Sequence, residues 1–239
     1  MPTRPEIPSE RRAIEQELAA VYRLYASLAG QMDPEFGLGG KLLHVGDLDP
    51  AASRLVRAAN IAGAASLAAS ADPVVLRQSI REGVVDFLVT SVDEALRILK
   101  NEIRKRQTVA VCVAAAAQQV MTEMAARGVL ADLLSPSAAQ AEQGTVFLAQ
   151  GAQLVEAAPI PEGSRLLVLE TPPRWAQCPA DFDSFLLESV PEKDLAGRRW
   201  LRLSPRYLGP AARRLRSIEC AEETAAVLER RLAEAECAG

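Results

Sequence analysis

LLHVGDLDPAASRLVRAANIAG, residues Leu42–Gly63, decides how this chain is read. An apolar run ends at Gly46, and an alanine-rich helical pattern follows Asp49-Pro50. Asp49 can accept a hydrogen bond from the first free amides of a helix, and Pro50 presets the first helical φ. Gly63 is a natural C-terminal stop. Strand, tight turn and helix in this order mark the place where a nucleotide-binding α/β fold puts its phosphate loop. Here the turn is Gly46-Asp47-Leu48-Asp49-Pro50, with one glycine and two carboxylates. The stretch therefore signals a fold strongly and a phosphate site weakly.

The same unit recurs along the chain. Lys41–Val45, Ala64–Ala69, Val84–Val89, Thr108–Val113 and Val129–Leu134 are apolar runs of strand length. Asp72-Pro73 repeats the start signal, and Gly83 and Gly128 repeat the stop. Ser91-Val92-Asp93-Glu94 is a capping box, in which cap and third-position side chains satisfy two amides reciprocally. Five strands alternating with helices predict an α/β, Rossmann-like, mostly parallel sheet with helices on both faces. Ligands of such sheets bind beyond the carboxyl ends of the strands. That rule singles out Gly46-Asp47, Ser70, Thr90-Ser91, Ala114 and Ser135; with the rest of the first turn, the candidate ligand contacts are Gly46, Asp47, Asp49, Ser53, Ser70 and Ser135.

Outside the sheet, Ile14, Leu18, Val21, Tyr22, Tyr25 and Leu28 fall on one face at helical spacing. Residues 1–38 thus read as an N-terminal helix and connection, 39–135 as the sheet domain, and 136–239 as a smaller α+β region. In that last region Thr145–Leu148 and Gln153–Ala157 suggest a hairpin around Gln150-Gly151. Leu166–Leu169, Ser184–Leu187 and Trp200–Leu203 are further strand candidates. Leu208–Cys220 fits either strand or helix, and a helix closes the chain from about Ala221 to Glu236.

From Gly39 to about Leu134 the chain resembles the central domain of urocanase (urocanate hydratase). Gly39-Gly40-Lys41-Leu42 is similar to the family's GKL start of the first strand. Ala58-Ala59-Asn60-Ile61-Ala62-Gly63-Ala64 is similar to its LAA-x-MAGA helix end. Val92-Asp93-Glu94-Ala95-Leu96 and Arg127-Gly128-Val129-Leu130-Ala131-Asp132-Leu133 resemble its LDEAL and RGV-x-PD segments. The resemblance implies a Rossmann domain that holds NAD. The family's glycine-rich loop, however, aligns with Asp47-Leu48-Asp49-Pro50-Ala51-Ala52-Ser53-Arg54-Leu55, where every aligned glycine is replaced. Only a backbone without Cβ lets a pyrophosphate lie against the amides, and two carboxylates repel it by about a kcal/mol. The acid expected on the ribose aligns with Ser70. The family's DQTSAHD stretch aligns with Pro136–Glu142 without its polar pattern.

Bulk composition narrows the classes further. The chain has 239 residues with a net charge of -4, which argues against a nucleic-acid binder. Its apolar runs are too short to cross a membrane, and MPTRPEIPSERR lacks a signal-peptide core, so the cytoplasm is the expected location. Cys112, Cys178, Cys220 and Cys237 form no CxxC pair, and His44 is the sole histidine, so no metal site is expected. His44 reads as a partly buried, hydrogen-bonded strand residue, and Cys178 as a loop thiol without a partner base. Arg199, Arg202 and Arg206 belong to an arginine-rich run from Arg198 to Arg216 interleaved with Trp200 and Tyr207. Arginine forks bind anions, so an anion or RNA site is conceivable, but in an acidic chain a solvated face or pairing with the acidic final helix is the favoured reading.

These readings lead to a diverged, non-catalytic binding or interaction module, with a small molecule or a protein as partner and no cofactor, NAD being disfavoured. The alternative is an enzyme that uses the same crevice with Asp47 and Asp49 on a cation or a different small ligand. A subunit of a homo-oligomer or of a shared site is a third expectation.

Overall fold

The computed structural model describes residues 9–209 and 214–237. The chain divides into two compact units, one running from Arg23 to Ala158 and the other formed by the residues on either side of it.

The first unit is the sheet. Strand β1 (Leu42–Asp47) leads through helix α2 (Pro50–Ala62) to β2 (Ala65–Ala69), and α3 (Pro73–Arg81) leads to β3 (Phe87–Val89). Helix α4 (Val92–Arg104) and β4 (Ala110–Val113) follow, then α5 (Ala117–Ala126), β5 (Leu133–Leu134), α6 (Pro136–Gln140), α7 (Glu142–Ala149) and β6 (Gln153–Leu154). The six strands lie in the order β3-β4-β2-β1-β5-β6, every neighbouring pair parallel. This is a Rossmann-like fold. The chain moves away from β1 on one side and returns to place β5 on the other, so the topological switch point lies between β1 and β5.

The apolar runs are buried because helices cover the sheet. Leu42, Leu67, Val111 and Leu134 of the strands share one core with residues of α4, α5 and α7, among them Leu99 and Phe147. Each fully buried side chain of this size is worth about 2 kcal/mol. The strand cores are shorter than the apolar runs. Val84 turns its amide back to the Ser79 carbonyl at 2.8 Å, so β3 starts only after Asp86. The Asp86 carboxylate then takes the Ala110 amide at 2.8 Å.

Residues 145–157 depart from the sequence reading. Thr145–Leu148 lies in helix α7, and Gln153–Leu154 pairs parallel to β5 rather than antiparallel in a hairpin. Phe147 explains the difference, since a helix delivers it into the sheet's core. Gly144 completes the packing, because a Cβ there would overlap the Ala138 carbonyl of α6.

The second unit is α+β. Strands β7 (Ser164–Glu170) and β8 (Leu215–Ala221) pair antiparallel, and α8 (Pro179–Glu188), α9 (Leu195–Tyr207) and α10 (Glu222–Cys237) pack with them. Helix α1 (Ser9–Ala29) contributes its part up to Tyr22. The Tyr22 ring meets Trp200 edge-on at 4.9 Å, and its hydroxyl donates to Glu219 at 2.7 Å. Leu166–Leu169 is strand as expected, whereas Ser184–Leu187 and Trp200–Leu203 are helical. Phe182 and Leu186, one turn apart, bury the same face of α8. Asp194 caps α9 by accepting the Gly197 amide at 2.8 Å. Leu215–Cys220 of the open segment is strand, in β8, while residues 210–213 lie outside the described ones. Among the described residues no helix is long and apolar enough to cross a membrane.

His44 lies in β1 between Leu67 and Leu134. It is wholly buried rather than partly so, and neither ring nitrogen meets a hydrogen-bond partner. Burial pushes its pKa down to about 4. A folded-state pKa below the unfolded value of about 6.5 gives stability that is present above that value and is lost as pH falls toward the folded pKa. Denaturant titrations should therefore show His44→Leu losing less stability than the unsubstituted chain between about pH 6.5 and about pH 4, by about 3 kcal/mol. Equal slopes for the two proteins would refute a buried neutral imidazole.

Candidate functional site

The carboxyl edge of the sheet is shaped by an irregularity in β1. Leu42, Leu43 and His44 pair with Ala65, Ser66 and Leu67, but Gly46 and Asp47 pair with Ala68 and Ala69. Val45 is thus an extra residue, a β-bulge of the kind that re-aims the following side chains. Gly46 has φ +73°, a left-handed conformation that disfavours a side chain.

The turn after the bulge uses its own donors. Leu48 donates its amide to the Ala69 carbonyl at 2.8 Å, and Asp49 donates to the Asp47 carbonyl at 3.0 Å. The Asp49 carboxylate accepts the Ala52 amide at 2.7 Å, and its carbonyl accepts the Ser53 amide at 2.9 Å. Pro50 has no amide hydrogen to offer. A helix N-terminus normally presents free amides and a positive dipole end to an anion. At α2 the anion is a side chain of the same turn.

Across the switch point, α6 closes on β1. Ser135 donates its hydroxyl to the Val45 carbonyl at 2.8 Å and accepts the Ala138 amide at 3.1 Å as the cap of α6. Ser137 reaches the same carbonyl at 3.3 Å, and the two hydroxyls lie 3.0 Å apart. A carbonyl oxygen has two lone pairs, so the bulged residue accommodates both serines. The Ala138 methyl would sit 3.6 Å from a Cβ placed on Gly46. Helix α6 therefore packs directly over the turn where β1 ends.

The structure brings together most of the candidates chosen from the sequence. Gly46, Asp47, Asp49 and Ser53 form one turn, and Ser135 meets it through Val45. Ser70 follows Ala69, the register partner of Asp47, and is buried, its hydroxyl accepting the Asp72 amide at 3.2 Å. Asp47 is exposed. Its charge, second to burial, pushes the enclosed Cys112 thiol up to about 12, so that sulfur stays protonated at neutral pH. Sequence reasoning missed Val45 and Ser137. Ser135-Pro136 was the available signal, since it repeats the cap-proline starts at Asp49-Pro50 and Asp72-Pro73.

The arginine-rich run lies elsewhere. Arg199, Arg202 and Arg206 follow one flank of α9 at helical spacing. Arg202 donates to the Arg198 carbonyl, and Arg206 stacks on Tyr207. Arg198 closes the end of α8 by donating to the Leu187 and Val190 carbonyls. Arg216 is buried against Asp183. Glu222 and Glu229 of the final helix pair with Arg165 of β7. Trp200 is buried and donates to the Ser217 carbonyl, so it offers no exposed stacking face. Cys178 is exposed at the start of α8, and Arg213 lies outside the described residues. Among the described residues no three His, Cys, Asp or Glu side chains gather as a metal-ligand set.

A family model, the urocanase Rossmann-like domain, matches residues 37–164, more than half of the chain. The chain belongs to the urocanase family. The urocanase Rossmann-like domain here includes β1 with its bulge, the Asp49-capped turn, α6, α7 and β6. The match thus extends past Leu134, through the helices over the switch point and the sixth strand.

If Asp49 acts as a cap, Asp49→Ala should lower stability by about 1 kcal/mol, and Asp49→Ser should restore most of it. Thermal or denaturant unfolding of the two variants measures this directly. A stability unchanged by Asp49→Ala would show that the carboxylate is not holding the turn.

Proposed function

We propose that this urocanase-family domain works as a binding or interaction module whose dinucleotide loop has become a structural turn. One observation carries the reading: Asp49 fills the helix N-terminus where a diphosphate would lie. Several others support it. Pro50 removes a further donor, Asp47 adds a second negative charge, and α6 is pinned over Gly46 by the two serines on Val45. A diphosphate would have to displace the chain's own carboxylate and lie beside another. Ser70, the residue at the ribose position, spends its hydroxyl on the Asp72 amide and has no acid to offer a sugar diol.

A second reading rests on Asp47. The bulge carries this carboxylate to the exposed rim of the sheet, where a cation or an amine- or hydroxyl-bearing ligand could meet it.

Ligand-dependent unfolding separates these. NAD at a hundred times its dissociation constant would add about 2.7 kcal/mol of stability. The proposal expects no shift with NAD and no loss of urocanate absorbance on incubation with the chain. A clear upward shift with NAD, or turnover of urocanate, overturns it. A shift with a divalent cation that disappears in Asp47→Asn selects the second reading.

A further inference from the structure

Helix α9 carries four arginines and neither aspartate nor glutamate, in a chain whose net charge is -4. One side of the helix is buried through Trp200, Leu201 and Ser204. Leu195, Arg199, Arg202 and Arg206 follow one another at intervals of 4, 3 and 4 residues. At about 100° per residue these four fall within about 60° of one another, on the side opposite the buried one. Such heptad spacing keeps a row of side chains in line along a helix. Leu195 is 48% exposed, and Arg202 and Arg206 are exposed as well.

Two of these arginines are posed without being neutralised. The Arg202 Nε donates to the Arg198 carbonyl at 3.3 Å, and the Arg206 guanidinium lies 5.4 Å from the centre of the Tyr207 ring. Neither meets a carboxylate among the described residues. A guanidinium already held in place loses less freedom on binding, and its open edge can take a carboxylate in a fork. Carboxylates one turn apart on a second helix match Arg202 and Arg206, because the turn is about 5.4 Å on both helices. Leu195 adds an apolar contact in the same line, which a helix-on-helix seam uses and a phosphate backbone does not. The rings beside the row are poor platforms for a base, since Trp200 is buried and Tyr207 carries Arg206.

We propose that this face of α9 docks an acidic amphipathic helix of a partner protein, with carboxylates one turn apart on Arg202 and Arg206 and an apolar side chain on Leu195. Charge gives the docking its direction, and the heptad line gives it its register. The face belongs to the α+β unit, so the inference stands whether or not the turn after β1 binds NAD.

Amide NMR shifts of the full labelled chain, titrated with an alanine-based helical peptide of about 20 residues, test the proposal. The peptide carries two glutamates one turn apart, flanked on each side by a leucine two turns away, so that it fits in either direction. It should shift the amides of α9 and bind more weakly as salt rises. Arg202→Glu and Arg206→Glu should each weaken binding about fivefold. The double variant should lose this peptide and take up its counterpart with lysines in place of the glutamates, which also shows that the variant is folded. A shuffled peptide of the same composition, its charges and leucines spread around the helix, should bind about fivefold more weakly. No shift in α9, equal binding of the shuffled peptide, a double variant that keeps the acidic peptide, or tighter binding of a single-stranded oligonucleotide of the same charge overturns the proposal.

Discussion

The first turn of a helix leaves amides that something must satisfy, and at the carboxyl edge of this sheet the chain satisfies them itself. Asp49, Asp72 and Ser135 each place a side-chain oxygen on an amide of the helix they open, and each is followed by a proline that withholds another donor. Ser91 does the same for α4 without the proline. In a nucleotide-binding relative of this architecture, free amides at the first of these turns are the ligand site. Converting donors into internal contacts secures where each helix begins and so stabilises the sheet. On the reading proposed above, it also leaves an anion fewer donors at the first turn.

The bulge at Val45 shows how tightly this edge is tied. An extra residue in a strand leaves a carbonyl out of the ladder, and a buried carbonyl without a partner costs about 1–3 kcal/mol. Ser135 and Ser137 remove that cost. In doing so they bind the start of α6 to the end of β1, two segments far apart in sequence. Gly46 can take its left-handed turn because it has no Cβ, and the same helix packs above it. Bulge, glycine and serines form one device, and each member is hard to explain without the others.

The α/β sheet was legible in the sequence because its signals are local. Apolar runs, cap-proline pairs and glycine stops depend on neighbouring residues, and they placed β1, β2, α2 and α4 well. The errors fell where tertiary contacts decide. Thr145–Leu148 is short and apolar enough for a strand, and only the place of Phe147 in the core makes it a helix. Trp200–Leu203 has the same ambiguity, resolved by the burial of Trp200 against Ser217. The candidate turn was legible residue by residue, but α6 over it was not. The bond from Ser135 to Val45 joins residues with no sequence pattern between them. His44 illustrates the same limit, since no pattern distinguishes a partly solvated imidazole from one sealed in a core.

The division of the chain into units bears on the order in which they can form during synthesis. The sheet unit is one uninterrupted segment, complete once Ala158 has left the ribosome. The α+β unit needs the first turns of α1 together with β7 and β8, which lie on opposite sides of that segment. Its N-terminal piece is therefore made first and must wait for the whole sheet to be translated before its partners arrive. Leu18, which packs with Leu215, spends that interval without its final neighbour. Nascent chains are vulnerable where apolar surface waits in this way, and that helix is where a chaperone would have most to protect.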